Sequence, residues 1–296
     1  MSQQTKRLLI TGASGQLAKR TAELVLEKCS PKRLILVTRD PLALVDFAEL
    51  GVDVRIGDFA DPKHLSNAFR GASRMLLVSI TDLENRAEMH GAAIDAAAAA
   101  GVEHIIYTSG LSPAPPNPAV VAASHYATEQ KLAAAGINWT VLRNSLYADY
   151  QASEAAHSAL TGKLIHNRRE GRVAYVSRED CAAVAATVLA AHGHENVVYD
   201  ITGPETFSAT DLARLYGKLA GRPIETQALE DSAFVTSLVG DARDDDHMRY
   251  GAELVASFGQ SIREGYMDSC TDTVSTLTGR PAQTLGFVLK AAAASS

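Results

Sequence analysis

The segment Ser124-His125-Tyr126-Ala127-Thr128-Glu129-Gln130-Lys131 places an imidazole, a phenol, a carboxylate and an ammonium within two helical turns. Residues four apart share a helix face, so Glu129 is expected to orient or charge-stabilise the His125 imidazole. Tyr126 has Gln130 at i+4 and Lys131 at i+5. A phenol recruited as an acid needs an ammonium on its own face to lower its pKa, and at i+5 the ammonium points away. The standard Tyr-Lys acid pair is therefore absent. His125 and Tyr126 stand as candidates for proton delivery or pocket shape, against the plainer reading of His125 and Lys131 as a helix-surface pair.

A second cluster opens the chain. Leu8-Leu-Ile-Thr-Gly-Ala-Ser-Gly15 is an apolar strand running into a glycine turn, and Gly12, Gly15 and Ala18 are spaced G-x-x-G-x-x-A. Gly12 lets the backbone leave the strand in a conformation a side chain forbids, Gly15 lets a pyrophosphate approach the helix N-terminus, and Ala18 lets that helix lie close on the sheet. Arg39 and Asp40 close the second apolar run, where a bound dinucleotide presents its adenosine ribose. An arginine forks onto phosphate oxygens, so Arg39 favours NADP(H) over NAD(H). Asp58 and Phe59 end the third run and could flank adenine, although Asp58 is also a natural cap for the turn before Pro62. Ser79, Thr81 and Ser109 follow the fourth and fifth runs, where carboxyl ends of parallel strands face a ligand crevice.

These groups need elements to hold them. Strand-like runs recur at Leu8–Thr11, Leu34–Thr38, Val52–Ile56, Met75–Ile80, His104–Thr108 and Trp139–Leu142, with helical segments at Gln16–Lys28, Pro62–Arg70, Glu84–Ala100 and Ala122–Ala135. The alternation predicts an α/β protein built as a Rossmann-type doubly wound parallel sheet. Beyond Asn144 it loosens: a helix over Ala152–Leu160, a short strand over Arg172–Val176, a helix over Arg178–Ala191 begun by the acids Glu179 and Asp180, a strand over Val197–Thr202 and a helix over Ala209–Ala220. We expect residues 1–150 to form the nucleotide-binding domain, with a seventh strand returned from about 197–203, and residues 151–296 a smaller, mostly helical substrate lobe. Asp241–His247 has metal-like side chains but lacks the glycine spacing of a cage, and reads as a polar loop or helix start.

The chain has 296 residues and a net charge of −6, which gives no basic stretch to attract nucleic acid. No apolar run approaches a membrane span, and the N-terminus lacks a signal-peptide core. A cytoplasmic protein is expected. Cys29, Cys181 and Cys270 are too widely spaced for a disulfide framework or a zinc site, so no metal is expected.

Thr11-Gly12-Ala13-Ser14-Gly15-Gln16-Leu17, the His125-x-x-x-Glu129 helix, Val141-Leu142-Arg143-Asn144, Val176-Ser177-Arg178-Glu179-Asp180 and Ile201-Thr202-Gly203-Pro204 occur in this order. Together they resemble the NmrA-like atypical short-chain dehydrogenases/reductases, among them the NADPH:quinone, triphenylmethane dye and azo-dye reductase types. The resemblance spans nearly the whole chain. It implies that Gly12, Ser14, Gly15, Gln16 and Leu17, following Thr11, surround the pyrophosphate and that Arg39 meets the 2′-phosphate. It puts Asp58 and Phe59 beside adenine, and Ser79, Thr81, Ser109 and the loop Asn144-Ser145-Leu146-Tyr147 around ribose and nicotinamide. Ala18 stands where the family usually has a third glycine, and the loop after Asn144 lacks the bulkier aromatic that relatives often carry first.

The implied activity is NADPH-dependent hydride transfer to a planar conjugated acceptor such as a quinone, azo or triarylmethane compound, with His125, Tyr126, Tyr147 and Tyr150 shaping the pocket or supplying a proton. Alternatives are a carbonyl or imine reductase, with Tyr126 or Tyr147 as acid, and a non-catalytic NADP(H)-binding redox sensor. The expected partner is a small aromatic molecule, with neither nucleic acid nor membrane, for a monomer or homodimer.

Overall fold

The computed structural model describes residues 6–240 and 245–294. Nine strands are present among them: β1 (Arg7–Thr11), β2 (Leu34–Thr38), β3 (Asp53–Ile56), β4 (Ala72–Leu77), β5 (His104–Gly110), β6 (Asn138–Asn144), β7 (Lys163–His166), β8 (Val197–Ile201) and β9 (Glu225–Ala228). Seven form one sheet in the order β3-β2-β1-β4-β5-β6-β8, and every pairing in it is parallel. The order reverses between β1 and β4, which opens a crevice at the carboxyl ends of those strands. Burial on both faces explains why β2 and β4 are buried at every position.

One face carries the helices Gln16–Leu26 and Arg178–Ala190 and packs Leu17, Ala18, Ala22, Val184 and Val188 onto Leu8, Ile10 and Leu36. The other carries Pro62–Phe69, Arg86–Ala99 and Val120–Ala133 over Leu9, Ile35, Met75 and Ile105. A third apolar cluster lies in the C-terminal part, where Tyr175, Leu212, Tyr216 and Ile262 meet. The α/β class with a returned seventh strand is as the alternation predicted.

Apart from shifts of one or two residues at element ends, three features differ from the sequence expectation. The fourth run stops at Leu77 because the next two amides leave the ladder: Val78 N donates to Thr11 Oγ1 at 3.0 Å and Ser79 N to Thr108 Oγ1 at 2.9 Å. Arg172–Val176 is not a strand but makes isolated bridges, Val173 with Phe207 and Val176 with Tyr147. The second, two-stranded sheet is instead β7 with β9. All four residues of β9 are exposed, so it carries no apolar alternation for periodicity to find. Of the acidic stretch Asp241–His247, residues 241–244 lie outside the described residues. Asp245 caps the helix Asp246–Arg263 by accepting from His247 N and Met248 N, and no cluster of metal-ligating side chains occurs among the described residues.

Candidate active site

The glycine turn follows β1. Gly12 has φ +59°, a left-handed value that disfavours any side chain. Gly15 N closes the turn onto Gly12 O at 2.9 Å. Gly15 then caps the helix Gln16–Leu26 with no side-chain bond, and no acid occupies the first turn. The helix therefore presents free amides and the positive end of its dipole to an incoming anion. Thr38 Oγ1 donates to Ser14 Oγ at 3.1 Å and fixes the turn against β2. Thr11 plays a structural part, since its hydroxyl staples β1 to β4 through Leu76 O and Val78 N. Leu17 and Ala18 are buried beneath the turn, and Gln16 is exposed beside it.

Arg39 is exposed at the end of β2, and its guanidinium makes no hydrogen bond or ion pair among the described residues. Asp40 is already engaged, accepting from Leu42 N at 3.0 Å as the cap of a short turn. Asp58 and Phe59 lie beyond β3, which ends at Ile56. Asp58 accepts from Ala60 N at 3.0 Å, whereas Phe59 packs in the core, T-shaped to His90 at 6.3 Å between centroids.

The helix Val120–Ala133 does not use Glu129 as its sequence suggests. Glu129 is buried and accepts from Arg143 at 3.0 and 2.6 Å and from Ser109 Oγ at 2.7 Å. Three donors from β5 and β6 hold the carboxylate away from the imidazole, and Ser109 is turned inward with them. His125 instead faces Tyr107 on β5, with Nδ1 2.7 Å from its hydroxyl, while Nε2 lies 3.4 Å from Arg86 Nη1. Arginine only donates, so Nε2 accepts and the ring proton sits on Nδ1. His90 has the same tautomer: Ile80 N donates to its Nε2 at 3.2 Å, and its Nδ1 meets Thr128 Oγ1 at 3.1 Å. Tyr126 is half-buried on the same helix. Lys131 projects outward to Asp95 at 2.7 Å.

Burial, and then the nearby Arg86 charge, push His90 and His125 down to about 3; burial and Arg74 push His104 down to about 4. All three are ordinarily near 6.5, so the unfolded chain binds protons that the folded chain refuses. Folding stability is therefore full above about pH 6.5 and falls steadily as the pH drops toward 4. Urea unfolding between pH 7.5 and 5 should show this slope, with His90→Gln flattening it; stability that rises on acidification would contradict it.

The β6 loop completes the site. Asn144 Nδ2 donates to the Tyr147 hydroxyl at 3.2 Å, while Asn144 Oδ1 and Ser145 Oγ are buried with no partner among the described residues. Ser79 Oγ is likewise enclosed near the Tyr107 hydroxyl without a well-formed bond. Thr81 is exposed at the crevice edge, and Leu146 is half-buried against the third cluster. The segment Val176–Asp180 is the hub behind this loop. Arg178 pairs with Asp149 at 3.1 Å and lies 5.2 and 5.3 Å from the ring centres of Tyr147 and Tyr150. Glu179 takes Arg20 of the helix Gln16–Leu26 at 2.7 and 3.0 Å. Asp180, fully buried, takes Arg280 Nη1 at 2.6 Å and Gln283 N at 2.8 Å.

Arg86, Tyr107 and His90, which gather around His125, received no role from the sequence, and Arg178 entered it only within the Val176–Asp180 motif. One signal was present for Arg86, a cation at a helix N-terminus where the dipole opposes it.

A glycine turn at an uncapped helix, an arginine past β2 unpaired among the described residues and orphaned oxygens past β6 all follow carboxyl ends of strands in one parallel sheet. This donor set fits a dinucleotide. Residues 12–192 match the family described as NAD(P)H-binding. The chain belongs to the NAD(P)H-binding family.

Several proteins of similar length that it resembles are oxidoreductases. Quinone oxidoreductase 2 of Escherichia coli K12 is 32% identical over 278 residues, 94% of this chain and 96% of that protein. The crystal structure of the E. coli NADPH-dependent quinone oxidoreductase with NADPH superposes with a TM-score of 0.91, covering 96% of this chain and 99% of that one at 31% identity. The NAD(P)H azoreductase of Xenophilus azovorans is 27% identical, over 97% of this chain and 98% of its own. The Citrobacter sp. triphenylmethane reductase complexed with NADP(H) gives a TM-score of 0.88 at 29% identity, covering 97% and 99%. The NAD(P)H-binding protein described here is an NAD(P)H-dependent oxidoreductase. No helix among its described residues is long and apolar enough to cross a membrane.

Proposed function

We propose that this protein uses NADPH to reduce neutral, planar, conjugated acceptors of the quinone or azo class. The observation that carries the reading is the acid the site lacks. Lys131, the ammonium nearest Tyr126 in sequence, is held on the helix exterior by Asp95 at 2.7 Å. A site without a Tyr-Lys acid suits acceptors that spread the incoming charge over their own π system. Most of the rate then comes from binding and orientation.

The reduced nicotinamide, when bound, supplies the hydride. The chain's residues do the rest. Gly12, Ser14, Gly15, Gln16 and Leu17 receive the pyrophosphate, with Thr11 bracing the turn from beneath, and Arg39 takes the 2′-phosphate. Asp58 and Phe59 border the adenine end. Ser79, Thr81, Asn144, Ser145 and Leu146 border the nicotinamide end, where Asn144 Oδ1 and Ser145 Oγ have bonds still to make. Ser109 acts at one remove, by holding Glu129. His125 serves as a positioning group because both its nitrogens are committed. Tyr126 and Tyr150 shape the entrance.

Tyr147 supports a second reading, reduction of a carbonyl or imine. Burial pushes its phenol up, so it stays protonated, and Asn144 donates to its oxygen, which leaves its own hydrogen to give. The Tyr147→Phe variant separates the two readings when NADPH consumption is followed with a quinone, an azo dye and a ketone. The quinone and azo rates should hold within about threefold, because a positioned acid contributes about 100-fold or more only where one is needed. Ketone turnover lost in the variant, with no quinone turnover in the parent, would favour the second reading. Tight NADPH binding without turnover of any acceptor would point to a redox sensor.

A further inference from the structure

Arg86 has a charge that the fold leaves without an opposite. It opens the helix Arg86–Ala99, and the side chain is enclosed, with the residue 5% exposed. Its Nε donates to Ile80 O at 3.0 Å, and its Nη1 reaches Ser124 Oγ and His125 Nε2 at 3.4 Å each. Among the described residues no carboxylate lies within ion-pair distance of it, and Nη2 has no hydrogen-bond partner. Asp82, the acid whose field reaches it, is exposed and bonded to Asn85. Arg74 makes the contrast clear. That arginine is as deeply buried, but it donates to Leu189 O and Val188 O at a helix C-terminus, where the dipole favours a cation. Arg86 sits at the opposite pole.

A buried cation without an anion is costly to the fold, because its lost hydration is not offset by an opposite charge. The position of Arg86 suggests what offsets that cost. It lies past the carboxyl end of β4, against the first turns of Val120–Ala133 and within electrostatic reach of Tyr250 on Asp246–Arg263. That is the carboxyl-end crevice in which a parallel sheet of this kind takes its ligands. His125 turns a lone pair toward the guanidinium and, being neutral, neither repels nor neutralises it.

We propose that Arg86 selects acceptors by charge: its unpaired guanidinium edge stabilises the anion that a neutral quinone becomes on accepting hydride, and it disfavours acceptors that are already cations. This rests on the function proposed above. A quinone that gains a hydride, one proton with two electrons, becomes a hydroquinone monoanion, leaving the nicotinamide oxidised; a proton from solvent completes the hydroquinone. A triarylmethane cation that gains a hydride becomes neutral. The first reaction builds negative charge beside Arg86, and the second starts with positive charge beside it.

The test compares the parent protein with Arg86→Gln and Arg86→Lys, using NADPH with a neutral 1,4-naphthoquinone and with a cationic triarylmethane dye, crystal violet. Arg86→Gln should lower kcat/KM for the quinone about 30-fold, as expected for one charge-assisted bond, while the dye value holds or rises. Arg86→Lys should keep the quinone-to-dye ratio within about threefold of the parent. NADPH affinity, read by quenching of protein fluorescence, should not change. Equal losses on both acceptors, or an unchanged quinone rate, overturn the inference. Should Arg86→Gln not fold, inhibition of the parent decides: a naphthalenecarboxylate should compete with quinone and a naphthylmethylammonium should not, and the reverse order overturns the inference. Failure of the underlying function looks different. The parent then consumes NADPH with neither acceptor, whereas turnover of both at an unmoved ratio defeats the role of Arg86 alone.

Discussion

Replacing Arg39 with alanine is expected to weaken NADPH binding about 30-fold and to leave NADH binding within about twofold. The reason lies in what surrounds β2's end. Thr38 is buried and tied to Ser14, which fixes where the chain exits. Arg39 follows at once, exposed and unpaired among the described residues. Only a 2′-phosphate offers it a fork of anionic oxygens, so its loss falls on one cofactor. Asp40 would favour a free 2′-hydroxyl if it turned inward, but it is spent on Leu42 N. Titrating both cofactors by calorimetry into the parent and the variant checks this. Equal losses for both, or none for NADPH, would remove Arg39 from the 2′ position.

Substituting Gly203 with alanine should cost about 3 kcal/mol of stability, a fall of roughly 6 °C in Tm. A Cβ there would lie 1.9 Å from Tyr175 O and 3.0 Å from Tyr175 C. Both are backbone atoms of a buried segment. Thr202 beside it is held by Thr271, whose amide donates to Thr202 Oγ1 at 2.8 Å. The strain also reaches the site, because Val176 bridges Tyr147, and Ala148 N donates to Val176 O at 2.8 Å. NADPH-dependent turnover should therefore fall along with stability. Gly251→Ala is the control: it lies in the helix Asp246–Arg263 with nothing within 4 Å of a Cβ, and should be neutral or stabilising. Calorimetric melting of the two variants decides the point; a Gly203→Ala protein as stable as the parent would mean that the Tyr175 backbone yields easily.

The sheet was legible because each core strand is a run of aliphatic residues bounded by turn residues. Such a run states its own burial. The strand β9 was not, since Glu225–Ala228 pairs with β7 through backbone alone and leaves its side chains in water. The two site clusters divide in the same way. Gly12 and Gly15 declare a backbone requirement within a single turn, so that turn could be read directly. Glu129 could not be read. Helical spacing offered it His125, but Arg143 and Ser109, brought alongside by β5 and β6, make three hydrogen bonds to it.

By itself the sequence determined the layers, the glycine turn after β1, the place of Arg39 at the end of β2 and the lack of a Tyr-Lys pair at helical spacing. All of these depend on local spacing or on which face is apolar. Only the tertiary structure decided the partners of the polar groups: Glu129 with Arg143, Glu179 with Arg20, Asp180 with Arg280, His125 with Tyr107, and Arg86 with no carboxylate among the described residues. Hydrophobic periodicity records whether a side chain is buried. It carries no information about which distant donor or charge arrives beside it, because that is set when separate elements dock.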